Sequence, residues 1–440
     1  MKRLICLFVS ALCCSALFAA QLTRVSMYLG KEDCVYSKGE KVVVTAKLTE
    51  DCTGPLFMYV LLNGTKVLEK DVVLGPEASV VYEASFDRPV FGMVYIQEKG
   101  GKSDTGIGFA VAPEEMHPGF RQPSDYRKFW KKELKAMRAV KPEVKLTEVE
   151  SGDKDFVCYD FEISMHEGWP ARGYLAMPRG AELKSLPIVM YFHGAGVKSS
   201  GSQSKVKTAL SYAKMGGGCI AVDVNAHGML NGQPQKYYDD LEKNELKDYR
   251  CRPFTTKEDF YYKDMMLRDV RTLDWLCTLK EWDGRRVLVT GSSQGGNQSL
   301  AVAGLDRRVS SIVAIVPGYC DMGAVMDEER QSGWKRMYRD VHKYPGAEKV
   351  LPYFDNVFSI RYTKAELWME LGLIDQTCAA EGMYAAFNNA RMKHKRILLY
   401  PGRRHSMKED DQYYNDWYES IGKAREEYLE SYLAPKPSAR

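Results

Sequence analysis

The chemistry in this 440-residue chain is clearest around Ser293, which stands in the string Gly291-Ser292-Ser293-Gln294-Gly295-Gly296. The apolar run VLVT precedes the string at residues 287–290, and a small-residue stretch begins at Asn297. A G-x-S-x-G string between a strand and a helix predicts a nucleophile elbow, in which the flanking glycines permit a tight turn that lifts the serine hydroxyl above the sheet. A serine so placed needs a base, a carboxylate to orient that base, and donors for the developing oxyanion. The chain supplies them in the order Ser, Asp, His. Asp375 follows the run ending Leu371-Gly372-Leu373, and His405 follows the run at residues 396–400 after Pro401-Gly402. His405 is therefore expected to take the Ser293 proton, and Asp375 to hold the imidazole in the right tautomer. Asp355 and Asp411 are the alternative acids, although neither stands just after a strand. One oxyanion donor is expected from the Gln294 N–H, directly after the nucleophile, and the other from Ala195 in the loop His193-Gly194-Ala195-Gly196. His193 reads as a structural hydrogen-bonding residue because His405 has the better chain position, and the lone loop histidine His227 reads as a local hydrogen-bonding group.

These residues require elements that end beside one another. Residues 156–164, 171–177, 187–192, 219–224, 287–290, 311–316, 367–373 and 396–400 form apolar or β-branched runs separated by helical stretches. Near-continuous apolar strands alternating with helices predict an α/β fold with a mainly parallel central sheet covered on both faces, and ligands at the carboxyl ends of its strands. The N-terminal part differs. Short runs at residues 41–48, 56–62, 71–74 (after the Asn63-Gly64 turn), 79–84 and 90–98 predict a small all-β, immunoglobulin-like sandwich over residues 21–112. Such a sandwich is either a packing and spacer unit or a carbohydrate-binding module. Residues 113–124, with His117, Pro118, Gly119 and Pro123, read as a linker, and the catalytic domain is expected over 125–440, its first helix capped by Ser124 or Asp125 and running to Ala139. All the proposed reacting groups follow Tyr191, so the chain from about Glu115 onward is expected to hydrolyse a small soluble ester without the sandwich.

Composition narrows the partners. With 45% hydrophobic and 27% charged residues the chain is globular, and a formal charge of +4 lacks the basic excess of a nucleic-acid binder. Lys2 and Arg3 precede an apolar stretch ending in Ala19-Ala20, which predicts a cleaved secretory signal over residues 1–20 and a secreted or periplasmic protein. No later apolar run is long enough for membrane insertion. Neither Cys13 nor Cys14 is preceded by the small residues of a lipoprotein box. The remaining cysteines, Cys34 to Cys378, contain no CxxC pair and hence no zinc or redox motif; most are expected to be buried free thiols, with Cys34–Cys52 the most local disulfide candidate. The fragment GAGVKS at 194–199 lacks the spacing of a phosphate-binding loop. No metal or cofactor is expected.

Taken together, Tyr191-Phe192-His193-Gly194, the segment 259–279 with Arg268, Asp269 and Arg271, RVLVTGSSQGG at 286–296 and Val316-Pro317-Gly318-Tyr319-Cys320-Asp321 resemble the acetyl xylan esterase and cephalosporin-C deacetylase family of α/β-hydrolases. The similarity extends over about residues 115–433, and Gly372-Leu373-Ile374-Asp375 with Cys378 resembles the family's acid loop. The resemblance implies deacetylation of acetylated xylo-oligosaccharides without a cofactor, an acetylated carbohydrate as partner, and Ser293, Asp375 and His405 as triad. Two places depart from it. Asp223-Val224-Asn225-Ala226-His227 stands where the family has Asp-x-Arg-Gly-Gln, and His405-Ser406 where it has His-Glu. The family's ring-like assembly implies a homo-oligomer, although the Arg and Gln associated with it are replaced here. A peptidase, a thioesterase and a non-catalytic glycan-binding protein are the rival readings, and Tyr237, Tyr238, Tyr249, Phe254 and Trp334 are candidates for a sugar platform or for packing.

Overall fold

A computed structural model describes residues 25–49, 55–100, 104–251, 255–326, 330, 346–409 and 411–435. The expected secretory signal, Cys52, Phe254 and Trp334 lie outside them.

The N-terminal strands are β1 (Val25–Leu29), β2 (Val35–Tyr36), β3 (Lys41–Leu48), β4 (Leu56–Leu62), β5 (Thr65–Val72), β6 (Ser79–Ser85), β7 (Val90–Glu98) and β8 (Asp104–Val111). They form a three-stranded sheet, β1-β3-β6, facing a five-stranded one, β2-β8-β7-β4-β5. All the pairings are antiparallel except the short β2–β8 pair. Alternate residues from both sheets, among them Met27, Val44, Met58, Val94 and Phe109, form one buried core. The strand expected at 71–74 instead begins at Thr65, because Asn63 (φ 44°) and Gly64 (φ 77°) form a two-residue turn that sets Leu62 opposite Thr65. Its apolar pattern is obscured because β5 is an exposed edge strand rich in charge. Cys34 carries a free buried thiol.

Strand β7 is buried on both faces over residues 90–96. One face meets the sandwich core. The other carries Phe91, whose ring lies 5.5 Å from Tyr384, and Met93 and Tyr95, which cluster with Leu61 and Ile374. The segment expected as a linker is also tied down: Asn388 Nδ2 donates to the carbonyls of Pro113 (2.8 Å) and Met116 (3.0 Å), and Gly119 N donates to Asp321 (2.7 Å).

The second sheet contains β9 (Val144–Val149), β10 (Phe156–Ile163), β11 (Ala171–Pro178), β12 (Leu186–Phe192), β13 (Ile220–Asn225), β14 (Trp282–Ser292), β15 (Ser311–Ile315), β16 (Glu366–Gly372) and β17 (Lys395–Tyr400). Their order is β17-β16-β15-β14-β12-β13-β11-β10-β9. From β13 to β17 the pairings are parallel, and β11, β10 and β9 continue antiparallel at one edge. Parallel strands need crossovers, and helices on both faces supply them, which is why β13 has no exposed residue. Edge strand β9 was not anticipated, since VKLTEV is mostly exposed and lacks an apolar face. The helix Tyr126–Ala139 forms as expected, with Asp125 at its N-cap position. Asp125 makes no side-chain cap, however, because its carboxylate is engaged by Lys257 (2.8 Å) and the Tyr353 hydroxyl.

Chain order decides where a site can form. After β12 the chain turns to β13 on one side, then returns to place β14 on the other. The loops after β12 and β14 therefore diverge and leave a crevice at the carboxyl ends of the sheet, the switch point at which ligands of such folds bind.

Candidate active site

Ser293 occupies that crevice. It links β14 to the helix Gln294–Leu305 with φ 59° and ψ −115°, a conformation that costs a non-glycine residue energy. Neighbouring backbone holds it there: Ser293 N donates to Ile315 O at 2.9 Å, and Ser293 O accepts from Gly318 N and Asn297 N, each at 3.0 Å. The glycines around it are required by space. A Cβ on Gly291 or Gly295 would lie 2.5 or 2.1 Å from the Phe192 carbonyl oxygen, so only glycines let this turn pack against β12.

His405 reaches Ser293 from the loop after β17. Its Nε2 is 3.0 Å from Ser293 Oγ, and its Nδ1 is 2.8 Å from Asp375 Oδ2. Asp375, fully buried after β16, also accepts at Oδ1 from Thr377 N (2.7 Å) and Cys378 N (2.9 Å). The two loops are locked together. A Cβ on Gly372 would be 2.2 Å from Arg403 O, and Ile374 N donates to that same oxygen at 3.3 Å. Arg403 is in turn anchored from below by fully buried Glu370, which also accepts from Arg425 and the Trp368 indole. The alternative acids are elsewhere. Asp355 accepts from the backbone N–H groups of Asp321 (2.9 Å), Met322 (2.7 Å) and Val357 (3.1 Å), and burial beside Asp321 pushes its carboxyl up to about 8. Asp411 accepts from Tyr413 N at 3.0 Å.

A cavity of about 370 Å³ opens over Ser293 and His405 and is lined by both Ala195 and Gln294. Gln294 is the first residue of its helix, so its N–H has no intrahelical acceptor. Two tyrosines not assigned to this machinery hold its parts together. The Tyr249 hydroxyl accepts from Gly196 N (3.1 Å) and donates to Gln294 Oε1 (2.8 Å), so it bridges the loop after β12 to the residue after Ser293. Tyr262 donates to the same Oε1 at 3.2 Å. Tyr249 is therefore buried packing within the site, and the hydroxyls of Tyr237 and Tyr238 bind the loop at Leu230. Arg250 and Tyr319 also line the cavity. Nothing in their spacing distinguishes them from surface or core residues.

The other histidines have local partners. His193 is buried between Asp223 and the Gly201 carbonyl. His227 Nε2 donates to Gly196 O (2.9 Å), and its Nδ1 lies 2.6 Å from the Tyr261 hydroxyl.

Asp269 lies against the helix Gln294–Leu305 and accepts from Gln298 Nε2 at 2.8 Å. Burial pushes its carboxyl up to about 7. The folded chain thus holds a proton that the unfolded chain releases near pH 4, so this contribution to stability is complete below about pH 4 and is lost as pH rises toward 7. Asp269→Asn is expected to flatten the fall in melting temperature between about pH 5 and pH 8; wild-type and variant curves running parallel would refute this.

A mainly parallel sheet with helices on both faces, a strained serine elbow at the switch point and a histidine and aspartate on the loops after the last two strands define the α/β-hydrolase class. The family model for acetyl xylan esterase matches residues 114–418. The chain belongs to the acetyl xylan esterase family and is a carboxylic ester hydrolase. It is 27% identical over 359 residues to acetyl esterase Axe7A of Xylanibacter ruminicola, covering 81% of this chain and 77% of that protein. The acetyl xylan esterase of Paenibacillus sp. R4 and acetyl xylan esterase 1 of Thermoanaerobacterium sp. JW/SL YS485 share the fold. Each has a TM-score of 0.58, 22% identity, and coverage of 73% of this chain and 98% of its own.

Proposed function

We propose that this chain removes acetyl groups from acetylated xylan or xylo-oligosaccharides through an acetyl-serine intermediate. The observation that carries the reading is the hydrogen-bonded series Ser293, His405, Asp375 at the floor of the cavity. Ser293 Oγ attacks the acetyl carbonyl while His405 Nε2 takes its proton, and Asp375 stabilises the imidazolium. The N–H groups of Ala195 and Gln294 receive the oxyanion. His405 then protonates the departing sugar oxygen and activates the water that releases acetate. Membership of the acetyl xylan esterase family and the names of the relatives support the acyl group and the sugar. The basic, apolar leader at Met1 supports export to the compartment where such polymers are degraded.

Purified protein incubated with acetylated xylan is expected to release acetate, and to leave peptide amide and thioester substrates essentially untouched. Turnover of a peptide or thioester with no acetate from xylan would replace this reading by one of the rival hydrolase classes.

A further inference from the structure

We infer that Tyr95, a residue of the N-terminal five-stranded sheet, is a positioning residue for the acid and base of the hydrolase, so that the sandwich is part of the catalytic apparatus. The inference rests on the proposed roles of Asp375 and His405.

Tyr95 is fully buried on the β7 face turned toward the hydrolase. Its hydroxyl donates to the carbonyl of Ile374 at 3.2 Å and accepts from Gln376 Nε2 at 3.0 Å. Those two residues flank Asp375, so a single hydroxyl grips the acid loop on both sides of its carboxylate. The same ring has the Arg404 guanidinium 5.7 Å from its centroid, and Arg404 immediately precedes His405. Tyr95 thereby touches both loops whose relative placement sets the distance from Asp375 to His405.

The surrounding sheet is shaped for this contact. Tyr59 stacks on Tyr95 at 4.9 Å and 15°, which fixes the ring. A Cβ on Gly106, across the strand pair, would lie 2.5 Å from the Tyr95 ring. One on Gly108 would lie 2.5 Å from Leu373 Cβ, while Gly108 N donates to Pro401 O at 2.9 Å. Backbone of β8 thus meets the acid loop and the histidine loop at one residue, and a side chain at either glycine would push the sheet off both. A spacer would need none of this, and a sugar platform cannot use a face covered by Ile374.

The consequence is electrostatic as well as geometric. A carboxylate held at Nδ1 stabilises the imidazolium that forms in the reaction, and an acid loop with more freedom stabilises it less. Tyr95→Phe keeps the ring and removes the hydroxyl. Its kcat for p-nitrophenyl acetate, expressed per serine labelled by a fluorophosphonate, is expected to fall about tenfold with KM within about twofold. Gln376→Leu, which removes the partner on the acid side, should lower kcat per labelled site in the same way, with KM again little changed. The double variant should be no worse than the poorer single one, since the two lose one shared interaction. Should Tyr95→Phe fail to fold, Gln376→Leu decides alone.

Wild-type kcat per labelled site overturns the inference, and so does a loss confined to the number of labelled sites, which is what a purely structural tyrosine would produce. Ser293→Ala run alongside separates the two levels. If it stays active, the catalytic reading itself falls. If it is inactive while Tyr95→Phe behaves as wild type, only the positioning role falls.

Discussion

Ser293→Ala is expected to reduce kcat for acetyl esters by several orders of magnitude while leaving the melting temperature close to that of the parent chain. What should remain is a residual rate of roughly 10³- to 10⁴-fold over water, supplied by substrate binding and the oxyanion donors. The fold should tolerate the change because the contacts that hold residue 293 at φ 59° are made by its backbone: its N–H to Ile315 O, and its carbonyl to Gly318 and Asn297. Alanine at this positive φ bears the same kind of strain as serine, and the Oγ contact that matters for catalysis is the one to His405 Nε2. The measurement is steady-state hydrolysis of p-nitrophenyl acetate by rigorously purified variant. Activity within about tenfold of the parent would remove Ser293 from the mechanism.

Asp375→Asn should be nearly as damaging, with kcat lowered by up to about 10⁴-fold and substrate binding preserved. The local hydrogen bonds say why. Oδ1 already accepts two backbone N–H groups, from Thr377 and Cys378, so the amide nitrogen of asparagine cannot sit there without facing donors. It must take the Oδ2 position and donate to His405 Nδ1. The imidazole then carries its proton on Nε2, pointing at a serine hydroxyl whose proton it can no longer accept. Asp411→Asn, which alters only a turn at Tyr413, should leave kcat near that of the parent. If Asp411→Asn produced the large loss and Asp375→Asn did not, the acid would be misassigned.

How much of this was legible before the fold was known depends on how local each signal is. The elbow at Ser293 is encoded within six residues, because its glycines, its preceding strand and its following helix are contiguous. Asp375 and His405 were readable because each directly follows an apolar strand, and in a parallel sheet all such positions open on one edge. The tyrosines at 249 and 262 were not. They act through hydroxyls that meet Gln294 from segments with no periodic or motif signature, and a buried tyrosine looks the same in sequence whether it packs or bridges. The Asp125 side chain illustrates a different failure. Local helix-start chemistry predicted a cap, and a distant lysine and tyrosine outcompeted the backbone for the same carboxylate.

The double burial of β7 leaves a trace in the sequence. VFGMVYI at 90–96 is too continuously apolar for a strand with one wet face, and the structure shows both faces covered. Periodicity says that such a strand is buried twice, though not by what. The sequence alone determined the α/β class, the elbow and the order in which Ser293, Asp375 and His405 follow its strands, because each follows from contiguous patterns of hydrophobicity and glycine. Only the tertiary structure decided that Asp375 rather than Asp355 faces His405, that Tyr249 joins the loop of Ala195 to Gln294, and that the sandwich reaches the loop of Asp375 through Tyr95. Those facts depend on contacts between residues far apart in the chain, and no local pattern records which distant partner a buried polar group will find.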